Sequence, residues 1–147
     1  MADNRSPEVR SWNMSQVKSQ DTSIEIKVRS YLFRNGFRFR KNVKKLPGKP
    51  DIVLPKYRTM IFIHGCFWHR HAGCKDATTP KTRTEFWQQK FDRNVANDRL
   101  HIKQLEKMGW HVIVLWECQI NKDIETTMEN TITLLRGYLE EADKKLP

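Results

Sequence analysis

The chain is short of what would place it in a membrane or among disulfide-stapled secreted proteins. It carries three cysteines in 147 residues. That odd number argues against a disulfide framework and fits a reducing compartment. No apolar run approaches the ~18 residues needed to cross a bilayer. The opening stretch MADNRSPEVRSWNMSQ is polar throughout and has no secretory apolar region. The chain is also short of acid, with 17 Asp+Glu against 27 Lys+Arg and a net charge of +10. These absences predict a cytoplasmic or nucleoid-associated protein. Basic excess on a patterned chain predicts a polyanionic partner, with nucleic acid the default candidate.

What is present reads as one domain over 21–147, preceded by a basic arm over 1–20 that holds Arg5, Arg10, Trp12, Met14 and Lys18. Asp21-Thr22-Ser23 offers a helix N-cap, and Ile24, Val28, Tyr31 and Leu32 follow at helical spacing up to Gly36. Phe37-Arg38-Phe39-Arg40 alternates as a half-buried strand does. After the turn cluster Leu46-Pro47-Gly48-Lys49-Pro50, two β-rich runs, 51–54 and 59–63, are joined by a loop of hairpin length. Trp87, Phe91, Val95, Ile102 and Leu105 mark one helical face between Thr84 and Met108. Residues 110–116 have the length of a buried strand, and Met128, Ile132, Leu135 and Leu139 predict a last amphipathic helix. The order α-β-β-β-α-β-α predicts an α/β fold with a mixed central sheet flanked by helices.

Cys66, His71 and Cys74 lie within nine residues, and Cys118 follows the last strand. Thiolate and imidazole suit tetrahedral Zn²⁺, and four protein ligands leave no open position, so such a zinc would be structural. The alternative is three unrelated cysteines and a surface histidine. The polar loop 70–76 favours the metal, because it has little core of its own.

Asp51 begins a strand directly after Pro50, a place where a carboxylate could hold Mg²⁺ against a phosphate. Histidines such as His64 and His69 could move a proton near neutral pH. Glu25 could join that chemistry or simply complement the helix dipole. Phe67-Trp68 sits in a loop amid Arg70 and Lys75, as side chains that wedge into a duplex do. Met14 is a further candidate, and Trp87 fits either the wedge or the helix core. Lys81, Arg83, Lys90 and Arg93 would serve phosphates.

The stretches PGKPDIV, FIHGCFWHRHAGC, TRTEFW and GWHVIVLWEC, with SWNMSQV and DTSIE before them, closely resemble the bacterial very-short-patch repair endonucleases over nearly the whole chain. The resemblance implies a restriction-endonuclease-like PD-(D/E)xK core and a nick in the thymine strand at a T:G mismatch left by 5-methylcytosine deamination. It implies Asp51 as principal Mg²⁺ ligand, joined by the backbone carbonyl of Ile63, and His69 as catalytic acid/base. Glu25 and His64 would support the metal–water network. Cys66, His71, Cys74 and Cys118 would hold zinc, and Phe67, Trp68 and Trp87 would enter the DNA, with Met14 inserting from the other side. Other repair proteins are expected partners, and a monomer suffices for one asymmetric mismatch. The chain departs from the pattern in three ways. Phe62-Ile63-His64 stands where the wider superfamily has an acid and a lysine. Ile63 replaces the family's threonine. The zinc loop is one residue longer between His71 and Cys74. Two rivals stay open: a restriction-type enzyme cutting both strands, and a non-catalytic zinc-containing DNA-binding module.

Overall fold

The computed structural model describes residues 22–75 and 77–145, so the expected arm over 1–20, with Met14, lies outside the described residues. Helix α1 spans Ser23–Arg34, and the Thr22 hydroxyl caps it by accepting the Glu25 amide at 3.4 Å. Gly36, at φ +86°, turns the chain out. The Phe37 amide donates back to the Leu32 carbonyl at 3.0 Å, a helix-ending bond. This shortens the expected 37–40 strand. Phe37 is spent on closing the helix, and only Arg40–Lys41 forms β1.

Strand β2, Ile52–Leu54, pairs antiparallel with β1 and with β3, Thr59–His64, through a short 3₁₀ turn at Pro55–Tyr57. Helix α2, Thr84–Lys107, then crosses over to β4, His111–Trp116, which runs parallel to β3 with Ile63 opposite Leu115. A short helix α3, Glu117–Lys122, absent from the sequence expectation, precedes the last helix α4, Ile124–Lys145. The sheet order is β1-β2-β3-β4, a mixed four-stranded sheet flanked by helices.

All six residues of β3 are buried, as a central strand covered on both faces must be. Its period of two divides them. Ile61 and Ile63 join the core built with α1, α3 and α4, around Leu32, Ile120 and Met128. Met60 and Phe62 join Leu105 of α2 in the second core. Strand β4 is only half-buried, contrary to the expectation of a buried strand. Ile113 and Leu115 enter the first core, while Val112 and Val114 only border the second.

Candidate active site

The alternation of β3 decides which side chains can meet. His64 follows Met60 and Phe62 onto the α2 face, where its ring stacks on His69 at 3.9 Å between centroids and 6° between planes. Ile63 points the other way, into the first core, and is 8% exposed. Its side chain is therefore packing, and only its backbone reaches the site: the Ile63 amide donates to Asp51 Oδ2 at 2.7 Å. Asp51 itself precedes β2 and is fixed there by its own amide bonding Ile61 O at 3.1 Å.

Asp51, Glu25, His64 and His69 share one cleft of about 260 Å³. Glu25 is buried from the first turns of α1, at 5% exposure. Burial pushes the Asp51 carboxyl up to about 6, opposed by the Ile63 amide and helped by the Glu25 charge. Carboxylates crowded in this way, with one Asp51 oxygen left over from the Ile63 bond, are a hard-oxygen donor set suited to a divalent cation. His64 is pushed down to about 4, by burial first and by His69 second, so it is a neutral ring at physiological pH.

One functional neighbour escaped the sequence reading. Asp98 of α2 meets His69 Nδ1 at 2.7 Å. It fixes the ring's orientation and leaves Nε2 as the nitrogen available for proton transfer. One turn earlier, Asn94 Nδ2 donates to the Trp68 carbonyl at 3.2 Å. The signal was there to see: Asn94 and Asp98 are two polar residues four apart, set among Phe91, Val95, Ile102 and Leu105.

The four expected zinc ligands come together. Their ligand atoms lie within 4.8 Å of one another, and His71 Nδ1 is 3.7 Å from Cys66 Sγ and 3.3 Å from Cys118 Sγ. A tetrahedral zinc site has S···N edges of roughly 3.5 Å, so the residues fit the ion. Burial pushes the Cys66 thiol up to about 12, so a cation is what would hold it as thiolate. Cys118 arrives in the first turn of α3 directly after β4, and the His71 ring is set by stacking on Trp116 at 4.2 Å.

Phe67, Trp68 and Trp87 also converge, with Phe91 as their base. Phe67 meets Trp68 at 5.0 Å and Phe91 at 5.2 Å, and Trp87 lies 5.8 Å from Trp68. Phe91 is buried, the other three are half-buried, and the Lys90 ammonium sits over both indoles at 5.1 and 5.7 Å. Trp87 thus packs against both Phe67-Trp68 of the loop and Phe91 of its own helix. Lys81, Arg83, Lys90 and Arg93 are all exposed. Arg70 is not turned outward for phosphate. Its guanidinium bonds the carbonyls of Phe67, Ala77 and Thr78 and the Thr79 hydroxyl, and lies 4.0 Å over Phe91.

Among known proteins, the family model described as DNA mismatch endonuclease Vsr matches residues 2–76. The chain is 45% identical to the DNA mismatch endonuclease Vsr of Escherichia coli over 139 residues, 95% of this chain and 88% of that protein. It is 49% identical to the type II nicking enzyme V.NmeAIP of Neisseria meningitidis over 116 residues, 78% of this chain and 82% of the relative. It is 46% identical to the type II nicking enzyme V.XorIIP of Xanthomonas oryzae over 121 residues, 82% and 88% of the two chains. A basic α/β protein with this cleft and these relatives is a DNA nicking endonuclease. It belongs to the DNA mismatch endonuclease Vsr family.

Proposed function

We propose that the chain nicks the thymine strand of double-stranded DNA at a T:G mismatch arising from 5-methylcytosine deamination, and that it needs Mg²⁺ to do so. The observation that carries this reading is the junction of two devices on α2. Trp87 and Phe91 seat an aromatic cluster, and Asp98, two to three turns on, orients a histidine in the carboxylate cleft. A half-buried aromatic ridge beside exposed cations suits the opening of a mispaired step. A restriction enzyme reading matched base pairs has no such need.

In this reading Asp51 and the Ile63 carbonyl hold Mg²⁺, with Glu25 behind them, in a restriction-endonuclease-like PD-(D/E)xK core. The ion would supply charge stabilisation at the phosphate being cut. His69 moves the proton through Nε2 while Asp98 holds Nδ1. The neutral His64 ring beneath His69 keeps a second positive charge out of the stack. Zinc at Cys66, His71, Cys74 and Cys118 stiffens the loop that presents Phe67 and Trp68, and Met14 inserts from the opposite side. We further take the chain as a monomer of one domain, 21–147, with a basic arm over 1–20. It would work in the cytoplasm on the nucleoid beside other mismatch-repair proteins.

The test is incubation with Mg²⁺ and matched or T:G-containing duplexes. A nick confined to the thymine strand is expected. Equal cutting of matched DNA, or full activity in Asp51→Ala, refutes the reading. Asp98→Asn should bind the T:G duplex normally and nick it about 10²-fold more slowly or worse.

A further inference from the structure

The turn that delivers Asp51 holds a residue the chemistry above does not use. Leu46 to Pro50 is closed by the Lys49 amide, which donates to Leu46 O at 3.0 Å. Both residues at its tip are left-handed, Gly48 at φ +75° and Lys49 at φ +52°. Glycine adopts that conformation freely, but a lysine Cβ crowds its own backbone there. Pro50 adds to the strain, because a prolyl ring pushes the residue before it towards extended backbone.

The turn has no room to slide out of this geometry. A Cβ on Gly48 would stand 2.9 Å from His101 Cβ and 3.0 Å from Phe62 Cε1, so the backbone is pressed against α2 and β3. The result is an exposed lysine held at the wall of the cleft, two residues from Asp51. That wall carries three carboxylates, from Glu25, Asp51 and Asp98. Among its described residues Lys49 is the one ammonium or guanidinium. Arg29 and His69 offset part of that charge at Asp51, and an incoming phosphodiester adds to it, so an exposed cation fixed at the wall favours entry of the anion. Among the described residues five non-glycine residues hold φ near +50°, and Lys49 is the one of them that lines this cleft.

We propose that Lys49 is a phosphate-binding residue of the cutting centre, its ammonium engaging a non-bridging oxygen of the phosphodiester that is cut. This rests on the cleft being that centre, so the experiment carries Asp51→Ala beside the lysine variants. Zinc-loaded full-length Lys49→Gly, Lys49→Gln and Lys49→Arg are compared with the parent on a T:G-containing duplex. The measurements are the single-turnover nicking rate at saturating enzyme, the DNA dissociation constant and the thermal midpoint.

Lys49→Gly should melt at or above the parent temperature, because it relieves the left-handed strain. Its saturated nicking rate should nevertheless fall on the order of 10²-fold. Lys49→Gln should fall alike, and Lys49→Arg should recover most of the rate. A residue that only shapes the turn would not separate stability from rate in this way, and arginine would not rescue it better than glutamine. If Lys49→Gly and Lys49→Gln cut within about twofold of the parent while Asp51→Ala is dead, the lysine assignment is overturned and the cleft stands. A loss confined to the dissociation constant also overturns it, placing Lys49 on a flanking phosphate. Full activity in Asp51→Ala overturns both.

Discussion

Asp51 is held in a conflict that can be measured. Burial raises its carboxyl from 3.8 to about 6, and the nearby Glu25 charge adds to the effect. The folded state therefore binds more protons than the unfolded chain across that window. Stability of the Mg²⁺-free protein falls as pH rises from about 4 to about 6, and the loss is complete above it. A shift of this size corresponds to about 3 kcal/mol. Asp51→Asn removes the charge and can keep the Ile63 bond through its amide oxygen. In Mg²⁺-free buffer at neutral pH it should melt a few degrees above the parent, and near pH 4 the difference should vanish. A midpoint at or below the parent's at neutral pH would show that the carboxylate is not strained by its surroundings. Ile63 shows how residue identity and role separate: its side chain serves the core, while its backbone amide serves Asp51.

Among the elements, the loop from Cys66 to Pro80 and helix α2 form one unit. Arg70 clasps three carbonyls and a hydroxyl between Phe67 and Thr79 of that loop while packing on Phe91. Arg70→Ala should lower the thermal midpoint by a few degrees, since carbonyls bonded to a charged donor lose their partner. It should also weaken the preference for mismatched over matched duplex in a binding titration. Unchanged preference would mean that the clasp does not set the aromatic ridge. Much of this unit is legible in the sequence. Cysteine and histidine spacing picked out the four residues that cluster, and the apolar stripe of α2 gave its length to within a residue or two. What escaped depends on pairing across distance. Asp98 finds His69 twenty-nine positions away, and its local mark, the polar pair with Asn94 on an apolar stripe, does not name that partner. Strand β1 was overread because Phe37 and Phe39 alternate, whereas helix closure takes the Phe37 amide. Helix α3 was missed because six residues offer too little periodicity to detect.

At the scale of the molecule, the Cys/His cluster brings the end of β3 to the start of α3, 52 residues on from Cys66 to Cys118. Purified protein should carry about one zinc per chain, and Cys118→Ala should lose it. The sheet and its two cores are built without the cluster, so far-UV circular dichroism should change little on zinc removal. Binding to the T:G duplex should drop sharply. Parent-like binding by the zinc-free protein would remove the metal from the recognition device. Helix α2 has a different kind of rigidity, and it bears on how this protein can evolve. Trp87 and Phe91 hold one partner, and Asn94 and Asp98 hold another, along a single uninterrupted helix. Inserting one residue between Phe91 and Asp98 rotates everything beyond it by about 100° and shifts it about 1.5 Å. Asp98 would leave His69 while the aromatic seat stayed put. Along this stretch the lineage is free to change letters but not length.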